Sequence, residues 1–362
     1  ALRNRWRYPH GCRRQHLIGS RRVPGTYIGN GECEIGSAGC APTDVVSVSL
    51  VIEAGTLVLG DASEALIITR GSTIAANGTA TDPIVMTSVD QFTAWVAGSN
   101  GDSGRGEWAG LALLGYAQTN QCVGSPCNVN AEGNIGFYAG DDDNDDSGSL
   151  SYVVILHAGN DIDGLGNELN GLTFFGTGSG TTSSYVQVHK GLDDGVEHFG
   201  ATDFMDHVVL TDNADDSFDW GQGYRGGAQF VVIKQASDAG DKAIEADNDE
   251  NANDAAPRSL PVLANFTIMS GDTGPAAGGG VLLRRGTGAH LYNFVVVDFR
   301  DNCLDVDQSA TAALFGTDSP SMARCCTAQM GLHSKTTVTT LQRPPGSTVA
   351  PTIVWSTRTS PA

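Results

Sequence analysis

The sequence predicts an all-β fold, a right-handed single-stranded parallel β-helix (a solenoid) with loop insertions, and three observations carry the prediction. Apolar strand openings recur along the chain, a second set of short strands recurs in step with them, and the residues between belong to tight turns. The openings are Tyr152-Val153-Val154-Ile155, Tyr185-Val186-Gln187-Val188, His207-Val208-Val209-Leu210, Phe230-Val231-Val232-Ile233, Asn265-Phe266-Thr267-Ile268 and Asn293-Phe294-Val295-Val296. The second strands align on Leu172, Val196, Phe218, Ile244, Val281 and Leu304, at intervals of 24, 22, 26, 37 and 23 residues. A unit of this length made only of strands and turns is one solenoid coil, and a longer interval is a coil with a loop at one corner. Leucine-rich repeats share the period, but their fixed Leu and Asn positions are absent. A closed antiparallel barrel needs hairpin turns, and few are evident.

Composition agrees with this fold class. A content of 40% hydrophobic residues in 362 is ample for a continuous core, and only 17% are charged while 47 are Gly. That balance favours short strands and turns over long amphipathic helices. No apolar run reaches the 18 residues that a membrane-spanning helix requires. No signal peptide remains at Ala1, so an export signal is expected to have been removed or to lie outside the chain.

The net charge of −20 is unevenly spread. Residues 1–28 hold seven Arg and no acid, residues 319–362 hold four Lys or Arg and no acid, and the body between holds 10 basic residues against 41 acidic ones. Such a body repels nucleic-acid phosphates and anionic lipid, so nucleic acid is not an expected partner, and it attracts divalent cations, above all Ca²⁺. The basic ends lack the strand periodicity of the body. The expected organisation is therefore a basic arm over 1–28, first coils over 29–95, a loop-rich insertion with an acidic loop over 96–149, the main coils over 150–315, and an irregular tail over 316–362.

Cysteine usage points to an oxidising compartment. Cys122 and Cys127 flank a Gly-Ser-Pro turn and Cys33 and Cys40 flank a Gly-rich one, spacings that suit small disulfide loops, while Cys325, Cys326, Cys303 and Cys12 offer further pairings of unspecified connectivity. Extracellular, outer-membrane-surface or periplasmic placement is the expectation.

In the first coils, Leu50–Thr56, Ala65–Gly71 and Pro83–Ser88 read as three strands joined by Gly- and Asn-rich turns. The stretch from Ile67 to Ser88, containing ITRGSTIAANGTATDPIVMTS, resembles the opening coils of secreted right-handed β-helix proteins and surface lipoproteins of Gram-negative bacteria, within the pectate-lyase-like fold superfamily. Trp108-Ala109-Gly110-Leu111, Asn170-Gly171-Leu172 with Phe174-Phe175-Gly176, Asp193-Asp194-Gly195-Val196 and Asp215-Asp216-Ser217-Phe218-Asp219-Trp220 look like further coils of that group. The likeness covers roughly residues 45 to 315 and implies the fold; it does not by itself imply an activity.

Stacking turns a repeated residue into a ladder with rungs about 4.8 Å apart. The position after each aligned apolar residue reads Thr173, Glu197, Asp219, Glu245, Leu282 and Asp305, so three successive carboxylates line up if that position faces solvent. Two residues before the apolar position stand Asn170, Asp194, Asp216, Lys242 and Asn302, preceded in the later coils by Asp193, Asp215, Asp241 and Asp301. Like charges this close need a cation or hydrogen bonds, and Ca²⁺ is the simplest compensation. The competing reading is a turn corner whose Asn and Asp side chains bond their own backbone. Two loops, Asp141-Asp142-Asp143-Asn144-Asp145-Asp146-Ser147-Gly148 and Asp247-Asn248-Asp249-Glu250-Asn251, alternate acids in a calcium-like spacing without matching an EF-hand. The expected metal ligands are Asp194, Asp216, Glu197, Asp219, Glu245, Asp141, Asp143, Asp145, Asp247 and Asp249.

These residues support a calcium-dependent surface that binds a polysaccharide or cell-surface glycan, with Glu197, Asp219 and Glu245 as its contacts and Trp220 as a stacking platform; core packing is the other reading of Trp220. The pectate-lyase-like resemblance implies an alternative, a calcium-dependent uronate lyase with Lys242 or Arg284 as the base. Arg284-Arg285-Gly286 with His290 and Asn293 approximates a lyase pattern, but the His is one residue too far. A structural surface spacer is the third reading. Gly101-Asp102-Ser103-Gly104 mimics a serine-protease segment without an assignable triad and reads as a turn. His189, His198 and His207 lie in neighbouring coils at non-equivalent positions, which disfavours a three-His metal site.

Overall fold

The computed structural model describes residues 14–17, 26–29, 47–122, 127–271 and 279–314. Its strands form two long parallel sheets. One, here the bent sheet, runs in the order Arg14–Leu17, Thr56–Gly60, Ile84–Ser88, Gly148–Leu156, Thr182–His189, Phe204–Thr211, Gly227–Lys234, Val262–Met269 and His290–Val297. The other, the acidic sheet, runs in the order Thr26–Ile28, Ala65–Ile68, Gly110–Leu114, Leu172–Phe175, Val196–Phe199, Phe218–Gly221, Lys242–Ala246, Gly279–Leu283 and Leu304–Val306. The chain alternates between the sheets, so each coil gives one strand to each, and the crossover preference of parallel strands makes the winding right-handed.

Register follows the sequence alignment rung by rung. Leu172 pairs with Val196, Val196 with Phe218, Phe218 with Ile244, Ile244 with Val281 and Val281 with Leu304. On the opposite wall Val153, Val186, Val208, Val231, Phe266 and Phe294 stack in turn. These two rows face each other across a single core, in which all of them except the terminal Leu304 are almost fully buried. Each such side chain contributes about 1.5–3 kcal/mol of apolar burial, so the stacked rows dominate the stability of every coil.

The six residues expected to open the strands of the bent sheet lie in mid-strand instead, three or four residues after each strand begins, and share one unusual conformation. Tyr152, Tyr185, His207, Phe230, Asn265 and Asn293 all lie at φ between 48° and 59°, and there the strand turns a corner without losing register. A left-handed non-glycine residue costs about 1–2 kcal/mol. Stacking offsets part of this: Tyr152 on Tyr185 and Tyr185 on His207 at 4.4 Å, His207 on Phe230 at 5.0 Å, and Asn293 Nδ2 donating to Asn265 Oδ1 at 2.6 Å. In an early coil the same corner is opened by an insertion, because Thr73–Asn77 and Ile84–Ser88 pair separately with the two halves of Gly148–Leu156.

The segments at the ends of this body take part where they are described. Arg14–Leu17 and Thr26–Ile28, from the basic arm, extend the two sheets. The insertion over 96–149 supplies one acidic-sheet strand, Gly110–Leu114, and a two-residue antiparallel ribbon, Val129–Asn130 with Phe137–Tyr138. The helix Val89–Val96 starts at Ser88, whose hydroxyl accepts the Gln91 N–H at 2.9 Å, and lays Val89, Phe92 and Trp95 over Leu57, Leu59, Val85 and Leu156 on the outside of the bent sheet. Cys122 and Cys127 form a disulfide. Cys303 is half-buried, with its thiol donating to the Val296 carbonyl at 3.6 Å, while Cys12, Cys33, Cys40, Cys325, Cys326 and the tail over 316–362 lie outside the described residues.

Candidate functional site

The acidic sheet positions its carboxylates through strand alternation. Val196, Phe218 and Ile244 point into the core, so the next residues, Glu197, Asp219 and Glu245, point out, paired in register on adjacent strands. Just before them the chain enters the sheet through small residues. At Gly195 an added Cβ would meet the Ser217 carbonyl of the next coil at 2.5 Å, so the turn carrying Asp193 and Asp194 sits tightly against the turn carrying Asp215 and Asp216.

That approach builds a hydrogen-bonded rung between coils. The Asn170 side-chain oxygen accepts the Asp194 N–H at 3.2 Å, the Asp194 carboxylate accepts the Asp216 N–H at 2.8 Å, and the Asp216 carboxylate accepts the Lys242 N–H. Asn170 also donates to Glu197 Oε2 at 2.7 Å. Asp194 and Asp216 are therefore buried carboxylates that each satisfy a backbone group of the coil above, and the self-bonding corner expected from Asn- and Asp-rich turns is realised between coils.

Four sets of three carboxylates nevertheless bring an oxygen from each member within 4.8 Å of the others: Asp193, Asp194 and Asp215; Asp194, Glu197 and Asp219; Asp215, Asp216 and Asp241; Asp216, Asp219 and Glu245. Burial, followed by the neighbouring carboxylates, holds Asp194, Glu197, Asp216 and Asp219 well above the ordinary range. Burial and then Asp215 push Asp193 up to about 7, and burial and then Glu168 push Glu132 up to about 7. Glu245 is raised by burial too, but Arg284 counters part of the rise.

Basic charge gathers at one end of this row. Arg284 pairs with Glu245 and places Nε 2.9 Å from Asp247, and Arg285 reaches the other Asp247 oxygen at 2.6 Å. Lys242 pairs with Asp241. At the other end the ribbon of the 96–149 insertion covers the sheet: Tyr138 lies 5.3 Å from Phe175, its hydroxyl donates to Gln222, and Glu132 comes near enough to Glu197 to raise it. Clustered, part-buried oxygen donors fit Ca²⁺, which takes six to eight oxygens at flexible geometry. Asp194, Glu197 and Asp219, or Asp216, Asp219 and Glu245, would supply its protein ligands.

Other expected site residues fall elsewhere. Trp220 is no stacking platform: it follows the outward Asp219, so alternation sends it into the core, where it is 0% exposed and its indole N–H donates to Thr287 at 3.0 Å. The acidic loops build no three-carboxylate set, although Asp247 stands beside Glu245 across Arg284. Asp143 pairs with Arg225 at 2.6 Å, burial pushes Asp145 up to about 6, Asp249 accepts the Asn251 N–H at 2.8 Å, and none of Asp141, Asp143, Asp145, Asp247 or Asp249 belongs to a three-carboxylate set. Ion pairing outweighs burial for both Lys242 and Arg284 and raises them further, so neither is a neutral base. The pattern around Arg284 is split: Arg284 follows an acidic-sheet strand, whereas His290 and Asn293 belong to the bent sheet. Three histidines likewise diverge, with His198 in the core, His189 beside Asp102 and His207 at the left-handed corner.

Glu132, Tyr138 and Glu168 were not expected at this site. They come from loops whose position over the sheet no repeat spacing encodes. Asp193, Asp215 and Asp241 were visible as the residues preceding the ladder and prove to form two further three-carboxylate sets with Asp194 and Asp216 at the entry turns.

Residues 45–350 match the pectate-lyase-like beta helix domain, and the chain belongs to that family. No curated protein matches it closely enough to count as a relative. Among solved structures, the periplasmic alginate epimerase AlgG is 10% identical over 72% of this chain and 73% of its own, with a TM-score of 0.29. Tailspike protein 2 of an Escherichia coli O157:H7 bacteriophage is 11% identical over 86% of this chain, with a TM-score of 0.29, and the match takes in 38% of the tailspike. At that level of likeness neither structure bears on substrate or activity. Among the described residues no helix is long and apolar enough to cross a membrane.

Proposed function

We propose that this chain is a secreted or surface-attached binding protein whose acidic sheet takes up Ca²⁺ and, through it, an anionic glycan. The observation that carries the reading is the pair of carboxylate sets sharing Asp219, which place two adjacent oxygen clusters along one line of the solenoid. Each set supplies three protein carboxylates, fewer than the six to eight oxygens Ca²⁺ takes, and a uronate carboxylate is a donor of the kind that completes such a shell. Successive coils repeat the site along the axis, as a polymer requires. The Cys122–Cys127 disulfide supports an oxidising compartment. Binding is favoured over lysis because Lys242 and Arg284, the two candidate bases, are both engaged with carboxylates and held in their charged forms.

The test is co-sedimentation with a panel of polyuronates, in Ca²⁺ and in chelator, alongside the absorbance of unsaturated product. Wild-type protein is expected to bind at least one polyuronate only with Ca²⁺ and to release no unsaturated product. The combined Glu197→Gln, Asp219→Asn and Glu245→Gln protein is expected to lose affinity by about tenfold or more, on the order of 1.4 kcal/mol. Calcium-independent binding, or undiminished binding by the triple variant, would place the function elsewhere.

A further inference from the structure

The outside of the bent sheet carries a surface that the acidic site leaves unused. Tyr185, Phe204, Val209, Phe230, Val232, Val262, Tyr292 and Val295 are all exposed on it, at 36% to 47% of their full area. They occupy neighbouring positions on five consecutive strands: Phe204 is in register with Gly227 and Val262, and Val209 with Val232, Thr267 and Val295. One of these rows begins under cover. Leu57 pairs with Val85 and Val85 with Val154, and helix Val89–Val96 packs its apolar side on Leu57 and Val85. Beyond that helix the same row runs on through Gln187 to Val209, Val232 and Val295 with nothing over it among the described residues. Eight exposed large apolar side chains, set among neutral polar ones such as Gln187, Gln229 and Thr267 on five consecutive strands, mark a contact site.

Charge and area indicate what covers it. Over the segment from Thr182 to Gln187 and the four segments in register with it, the last being His290 to Val295, Asp206 is the single acid, paired with His207, and there is no Lys or Arg. The carboxylates lie instead on the other sheet and at its entry turns. A chain of net charge −20 repels its own copies along any acidic surface, so two copies meet best where both are neutral. Five coils at about 4.8 Å, each presenting six residues at about 3.3 Å on the two sides of the corner, give at most about 500 Å² per copy. Two such faces bury at most about 1,000 Å² in total, the lower limit for a specific interface.

We propose that this face pairs with the same face of a second copy, as a two-fold dimer that leaves both acidic sheets exposed. This is independent of what the acidic sheet binds. Sedimentation velocity on the full chain is expected to show monomer at nanomolar and dimer at high micromolar concentration, the range a small interface supports. Hydroxyl-radical footprinting of the wild-type protein across that range is expected to show Phe204, Phe230 and Tyr292 becoming protected as dimer forms. The Val209→Lys, Val232→Lys variant, with circular dichroism confirming its strands, is expected to remain monomeric. A wild-type chain that stays monomeric overturns the proposal. So does a dimer that forms without protecting those aromatics, or protection that is already complete in the monomer, which would mean that another part of the chain covers the face.

Discussion

Asp219 contributes to both carboxylate sets that contain ladder residues, and it lies between Glu197 and Glu245 in register. Its charge is therefore the one most opposed by its neighbours and most needed by a bound cation. In chelator at pH 8, Asp219→Asn should raise the melting temperature by several degrees, corresponding to about 1–3 kcal/mol, because it removes a carboxyl whose ionisation is opposed by burial and by its neighbours while keeping shape. In Ca²⁺ the ranking should reverse, since the variant forfeits part of the cation's stabilisation, and thermal melts in both conditions decide the matter. The raised carboxylates also set a pH dependence. Between the ordinary carboxylate range near pH 4 and their raised folded values, about 7 for Asp193 and Glu132 and likewise raised by burial for the ladder acids, the folded state holds more protons than the unfolded chain. Stability in chelator should thus fall as pH rises from 4 through 7, and saturating Ca²⁺ should flatten or invert that trend. Equal melting temperatures at pH 5 and pH 8 in chelator would show that these groups do not repel one another as their geometry implies.

At the scale of the element, the left-handed corner shows where sequence reading succeeds and where it stops. The six strands and their register were legible from the buried apolar row, and Val153 through Phe294 stack as aligned, but the strands begin three or four residues before the expected openings, on the near side of the corner. That Tyr185 sits at φ 55° between two other rings was not legible, because a left-handed tyrosine is favoured by no local propensity and depends on the coils above and below. Tyr185→Val should cost about 2–3 kcal/mol, since a β-branched side chain is poorly suited to that conformation and cannot stack; Tyr185→Asn should cost about half as much, as Asn265 and Asn293 already serve at the same corner. Denaturant unfolding of the two variants checks the order. Strand alternation explains Trp220 in the same terms. Once Asp219 is outward its successor must be inward, so the two could not both belong to one surface.

For the whole molecule, the repeat determines which residues share a rung but not what the loops lay over them. The ladder Glu197, Asp219 and Glu245 followed from equal spacing, and Asp194 and Asp216 from their constant offset. Glu132 and Tyr138 reach the same face from an insertion with no period; of the loop acids that looked like calcium ligands in one dimension, Asp143 is held by Arg225, while Asp247 stands beside Glu245 but is engaged by Arg284 and Arg285. What results is a solenoid with two unlike long faces, one acidic and one neutral and apolar. The central claim is that the acidic face holds Ca²⁺, and calorimetric titration of Ca²⁺ into chelator-stripped protein tests it most directly. Saturable binding of at least one ion is expected, weakened about tenfold or more by Asp219→Asn and left unchanged by Asp143→Asn. No saturable heat in the wild-type protein, or equal affinity in the Asp219→Asn variant, would contradict it.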